Sequence, residues 1–174
     1  MYTSKLKLRE ILTMRYLFFL PLPLLIFFVG CEPAEKRKEN LAIQSEINLA
    51  AGKAFLKENA SRPNITTTAS GLQYRIIKLG NGPKPSDGST VEVHYVGRFI
   101  DGREFDSSIK RGMPAQFGVK QVISGWTEAL EKMPEGSIWE LFIPPNLAYG
   151  SAGQGPIGPS ETLVFEVELL KAGI

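Results

Sequence analysis

The chain has 174 residues, 43% of them apolar, with 20 basic and 18 acidic side chains. Setting aside Lys5, Lys7, Arg9, Arg15 and Glu10, which precede Cys31, leaves 16 basic and 17 acidic groups. That near-neutral remainder has no basic stripe and gives no footprint for nucleic acid. It suits one domain with a short arm.

The first element in chain order is Tyr16 to Val29, YLFFLPLPLLIFFV, fourteen apolar residues behind Arg15. A bilayer span needs about 20 such residues, so this run reads as the apolar centre of a secretory signal. Cys31 follows Gly30 at its end. The wording FVGC resembles a bacterial lipobox, in which a thiol takes diacylglycerol and a small residue precedes the cut. The expectation is a signal peptide over residues 1–30 and lipidation at Cys31. A further expectation is a place on the periplasmic face of the cell envelope, at the outer membrane because Glu32 rather than Asp follows the cysteine. Met14 starts a compact signal of its own, so translation is expected to begin there.

Residues 31–39 are polar and charged and read as a flexible tether. From Asn40 to Asn59, the spacing of Leu41, Ile43, Ile47, Ala50, Ala51, Ala54 and Phe55 predicts a helical stripe. This arm, residues 40–69, either packs on its own domain or pairs two copies into a weak homodimer through residues 40–60. Pro63 ends it. Over residues 70–174, strands are predicted at Leu72–Lys78, Thr90–Phe99, Phe105–Ser107, Ala115–Val119, Ser137–Ile143 and Thr162–Leu170. One helix is predicted at Gly125–Glu131. The Gly and Pro residues fall between them as turns. The fold class that follows is α+β, a twisted antiparallel sheet wrapped on one short helix.

Val91 to Ser108, VEVHYVGRFIDGREFDSS, is the most informative run. Val91, Val93, Tyr95, Gly97 and Phe99 alternate with Glu92, His94, Val96 and Arg98, as on a strand with one face on a core. Asp101-Gly102 marks a turn, and Phe105-Asp106 follows. His94 falls on the face opposite Tyr95, so it reads as a structural hydrogen-bonding residue, and no metal site is expected.

This run resembles the FKBP family of peptidyl-prolyl isomerases. QVISGW (Gln121–Trp126), IPPNLAYG (Ile143–Gly150) and ETLVFEVELL (Glu161–Leu170) follow in the family's order. GLQY (Gly71–Tyr74) and GPIGPSETLVFEVELL are similar to the bacterial secreted branch, the macrophage infectivity potentiator type. The likeness covers Ser70 to Lys171. It implies that proline-containing unfolded polypeptides are the substrates, that macrolides bind the same pocket, and that no cofactor is used. Position by position it implies Trp126 as the floor beneath the proline ring, with Tyr95, Phe105 and Phe165 as aromatic walls. Val122 and Ile123 would form the rim, the Ile123 amide offering a hydrogen bond. Tyr149 would point its hydroxyl at a substrate carbonyl, Asp106 would meet the twisted amide, and Ile157 would touch substrate from a flap. Ala115 departs from the pattern where some relatives place another aromatic, and Gln121 where many have an acid.

The reaction needs no proton and no nucleophile. The barrier to peptide rotation, about 18–20 kcal/mol, is the lost amide resonance. Water bonded to the carbonyl favours the planar form, so an apolar pocket favours the twisted one. A rate gain of ~10⁶ asks for about 8 kcal/mol of selective stabilisation. The competing expectation is a non-catalytic chaperone or peptide-binding module.

Overall fold

The computed structural model describes residues 33–174. The signal-peptide, Met14 and Cys31 expectations fall outside them. Helix α1 runs Ala34–Asn59. Strands β1 (Thr66–Thr67), β2 (Gln73–Lys78), β3 (Thr90–Phe99) and β4 (Glu104–Ser107) follow, then α2 (Ser108–Arg111), β5 (Ala115–Gly118), α3 (Ser124–Leu130), β6 (Ile138–Ile143) and β7 (Leu163–Lys171). The strands form one antiparallel sheet in the order β1-β2-β6-β7-β3-β4, with β5 also paired to β3. The expected α+β fold is what is found.

Strand β3 is the spine of the site. It pairs with β7 along nearly its whole length, Tyr95 opposite Val167 and Gly97 opposite Phe165. Its other edge is shared: β5 pairs with Thr90–Val93, and β4 with Val96–Arg98. The predicted alternation holds at Val91, Val93, Tyr95, Gly97 and Phe99, which are buried, and Val96 on the opposite face is buried too. On the core face, α3 lays Trp126, Ala129 and Leu130 against Leu141, Ile143, Val167 and Leu169. Each such large apolar side chain, removed from water, contributes roughly 1.5–3 kcal/mol.

Two expectations about the arm change. The segment read as a tether is helical from Ala34 onward. Its Ala, Glu, Lys and Arg residues are strong helix formers, and their charge does not oppose a helix that stays in water. Nor is the apolar stripe the face that meets the domain. Leu41, Ile43 and Ile47 are 52%, 50% and 55% exposed, whereas Gly52 and Asn59 are buried. From the stripe, Phe55 does pack inward, against Phe142 with ring centroids 6.0 Å apart. At the helix end the Asn59 amide donates to Gln73 Oε1 at 2.9 Å, and Gln73 Nε2 donates to the Leu56 carbonyl at 2.9 Å. Among the described residues no helix is long and apolar enough to cross a membrane.

Candidate functional site

Three short elements set the site against β3. Gly97 has no side chain, and a Cβ there would lie 2.7 Å from the Phe105 ring and 2.8 Å from the Phe165 ring. The two rings therefore close over the bare strand, edge to face, with centroids 5.5 Å apart. Gly125 gives α3 the same freedom, since a Cβ there would sit 2.6 Å from Ile143. Trp126 is thereby pressed down to 4% exposure. Tyr95 and Phe165 meet its ring edge-on, each with centroids at 5.3 Å. Thr127 Oγ1 donates to the Val119 carbonyl at 2.7 Å and ties α3 to the end of β5.

Above this floor opens a cavity of about 460 Å³. Of the residues predicted from sequence, Tyr95, Phe105, Asp106, Val122, Ile123, Trp126, Tyr149 and Phe165 line it. Ile157 does not. It lines an adjoining cavity of about 250 Å³, which shares Phe105, Asp106, Tyr149 and Gln154 with the first. Phe117, Gln121 and Gln154 complete the main lining. Phe117 stands two residues beyond Ala115, edge-on to Trp126 at 5.9 Å. Strand alternation put it on the face of Ala115, which was the signal available for it.

The polar side of the cavity is a three-residue cluster. The Tyr95 hydroxyl donates to Asp106 Oδ2 at 2.5 Å. Arg111 donates through one nitrogen to Asp106 Oδ1 and through the other to the Tyr95 oxygen at 2.8 Å. Arg111 also lies over the Tyr95 ring, 5.4 Å from its centroid. The turn of helix that carries it is capped by Ser107, whose Oγ accepts from Lys110 N–H at 3.2 Å. Asp106 is thus spared the capping role. Sequence reasoning passed over Arg111, which stands five residues beyond Asp106 and across the junction of β4 and α2, a spacing that no strand or helix period marks.

Burial pushes the Asp106 carboxyl up, but the hydrogen bonds from Tyr95 and Arg111 outweigh it and hold the group below the usual carboxylate range. Burial, then the bond to Asp106, raises the Tyr95 hydroxyl. Burial, then the Asp106 charge, raises that of Tyr149. At neutral pH the site therefore holds one carboxylate, one guanidinium and two protonated phenols.

The donors left for a guest include the Tyr149 hydroxyl and the Ile123 N–H. Among the described residues, no group hydrogen-bonds to the Tyr149 hydroxyl. Ile123 gives its carbonyl to the first amides of α3, from Trp126 and Thr127, while no backbone acceptor among the described residues takes its own N–H. His94 stays out of the cavity. Its Nδ1 lies 3.0 Å from Ser108 Oγ, which also accepts from the Tyr95 backbone N–H at 2.8 Å, the structural role expected of it. Among the described residues no cluster of three His, Cys, Asp or Glu side chains could hold a metal ion.

The sequence profile described as "FKBP-type peptidyl-prolyl cis-trans isomerase" matches residues 82–170. The chain belongs to this family. A second profile, "Domain amino terminal to FKBP-type peptidyl-prolyl isomerase", matches residues 27–76. The chain is 54% identical over 137 residues to "Outer membrane protein MIP" of Legionella longbeachae, covering 78% of this chain and 58% of that protein. It is also 54% identical over 123 residues to the "FKBP-type 22 kDa peptidyl-prolyl cis-trans isomerase" of Escherichia coli K12, covering 70% and 60%. The chain thus spans a little over half the length of these FKBP relatives. The crystal structure of FkpA from Escherichia coli superposes with a TM-score of 0.77 at 41% identity, covering 79% of this chain and 66% of that one. A peptidyl-prolyl cis-trans isomerase from Pseudomonas syringae pv. tomato gives 0.67 at 42%, covering 72% and 93%. The likeness to the macrophage infectivity potentiator branch, drawn from GLQY and the final strand, agrees with these relatives.

Proposed function

We propose that this protein is a peptidyl-prolyl cis-trans isomerase that speeds the folding of envelope proteins. The observation that carries the reading is the aromatic cavity over Trp126, closed on one side by the Tyr95–Asp106–Arg111 cluster, in a chain of the FKBP family. A proline ring would rest on Trp126, between Phe105, Phe165 and Phe117. Removal of water from the X-Pro carbonyl would weaken the polarised, planar amide. The twisted form then has the advantage, and binding selects it.

Tyr149 and Ile123 are the donors that would orient the peptide. The Tyr149 hydroxyl would meet the substrate carbonyl and the Ile123 amide a backbone oxygen beyond the proline. Asp106, held as a carboxylate by two donors, supplies a fixed negative charge near the rotating bond; a base would need a pKa near the working pH, and Asp106 is held below the usual carboxylate range. Macrolides would compete for the same cavity.

The N-terminal reading completes the proposal. The apolar run before Cys31 would deliver the chain to the envelope and the cysteine would take the lipid, with several acyl chains needed for a firm hold. Helix α1 would then begin close to the membrane. Its exposed Ile43 and Ile47 offer a face on which a second copy would pair.

A protease-coupled assay on a prolyl peptide tests the catalytic reading. Acceleration by the purified chain, reduced by Trp126→Ala, supports it. No acceleration, together with suppressed aggregation of a client that folds without proline isomerisation, would replace it with the chaperone reading.

A further inference from the structure

The loop that carries Ile157 is closed at its base and then pinned to α1. It leaves the sheet after Ile143 and returns at Leu163. Between Gly150 and Ser160 it forms a flap whose ends meet: Ser160 N–H donates to the Gly150 carbonyl at 2.9 Å. At its tip Gln154 and Ile157 exchange both backbone hydrogen bonds, each 2.9 Å. Gln154 lines both cavities and Ile157 the second.

The end of the flap and the two residues after it, Pro159, Ser160, Glu161 and Thr162, are gripped by one face of α1. Ser45 Oγ lies 2.7 Å from Ser160 Oγ. Asn48 Nδ2 donates to the Pro159 carbonyl at 2.8 Å and to Glu161 Oε1 at 3.1 Å. Gly52 lies against Thr162, so that a Cβ would fall 2.2 Å from Thr162 Oγ1. Ser45, Asn48 and Gly52 are spaced by three and four residues and so lie in one row on the helix. Ser160 meanwhile has a positive φ of 54°, a conformation that costs a side-chain-bearing residue energy and persists when its surroundings over-determine it. The grip by Ser45 and the bond to Gly150 are those surroundings.

We infer that Ser45, Asn48 and Gly52 of α1 are positioning residues for the substrate pocket, acting through the Pro159–Thr162 segment on the Gln154–Ile157 flap. The inference rests on the isomerase reading of the cavity. The helix on this account does more than link the domain to its anchor: its seating fixes how closely the flap stands over the peptide next to the proline. This also accounts for the small and polar residues on the contact face, where an apolar stripe would have made a deeper but less directional contact.

The test uses the full chain with Asn48→Asp, which keeps size but replaces the donor with a charge facing Glu161, and Gly52→Ala, which pushes on Thr162. Amide hydrogen exchange is read at Ile157 and Ser160, beside Val167 in the sheet as internal reference, and kcat and KM are measured on a prolyl peptide. Both variants are expected to speed exchange at Ile157 and Ser160 while leaving Val167 unchanged. KM is expected to rise about two- to tenfold, with kcat changed less. The double variant Gly52→Ala/Thr162→Ala removes the nearest colliding atom and is expected to recover most of both effects. Unchanged flap exchange and unchanged KM in variants that fold would overturn the proposal, as would a loss of stability spread evenly over flap and sheet. Failure of the isomerase reading is distinguishable: the wild-type chain would lack activity, while the exchange pattern would still report on the coupling.

Discussion

The substitution Gly97→Ala puts the packing of the site under direct strain. An added Cβ would sit 2.7 Å from Phe105 and 2.8 Å from Phe165. Carbon pairs prefer about 3.5–4.0 Å, so both rings have to retreat by roughly 1 Å. Elsewhere in a strand, Gly to Ala stabilises by about 0.5–1 kcal/mol through the unfolded chain. Here overpacking is expected to win, at a cost of about 1–3 kcal/mol. In a domain of this size that lowers Tm by roughly 3–10 °C. The same displacement moves two pocket walls, and a misplacement of about 1 Å is enough to reduce kcat/KM by ten- to a hundredfold. Thermal unfolding and a prolyl-peptide assay on the same preparation measure both. Adding Phe105→Leu is expected to recover part of the lost Tm without recovering activity, because it relieves one of the two collisions by giving up a wall. If Gly97→Ala matched the wild type in Tm and kcat/KM, the packing of Phe105 and Phe165 over a bare strand would not be what shapes the cavity.

Tyr149→Phe removes a hydroxyl that no described group engages, so stability is expected to stay within about 0.5 kcal/mol while kcat/KM falls about two- to tenfold for one lost hydrogen bond. Arg111→Ala removes one of the two donors that hold Asp106 down, so the carboxyl is expected to move up toward its ordinary range, read by NMR titration of the side chain. The sign for stability follows. Folding lowers the Asp106 pKa, so the unfolded chain binds more protons between the depressed and the ordinary value. Stability from Asp106 is present above the ordinary carboxylate range and is lost as pH falls toward the depressed value; in Arg111→Ala that loss is expected to be smaller, read by acid-dependent unfolding. Leu141→Ala in the fully packed core is expected to cost about 2–5 kcal/mol, measured by denaturant unfolding.

The sheet was legible in the sequence because its strands alternate. Thr90–Phe99 is predicted and observed with the same bounds, and the other long strands differ by at most one residue at an end. Of the nine predicted pocket residues, eight converge on one cavity, held by strands, by α3 and the loop leading into it, and by the turn after β6. What stayed hidden depends on tertiary contact. Arg111 takes its role from a partner five residues back that pattern analysis had no reason to pair with it. The inward face of α1 is made of Ser45, Asn48 and Gly52, residues that carry no apolar period, while the apolar period that is present points to solvent. The helix start at Ala34 was obscured by a charge run that local propensity favours as helix.

The central claim is that a desolvating aromatic pocket, without proton transfer, carries the activity. Measuring kcat/KM for X-Pro isomerisation by NMR exchange in H₂O and in D₂O, between about pH 6 and 9, tests it most directly. The account predicts clear acceleration, a flat profile and nearly equal rates in the two solvents. Either no acceleration, or a bell-shaped profile with markedly slower turnover in D₂O, would contradict it.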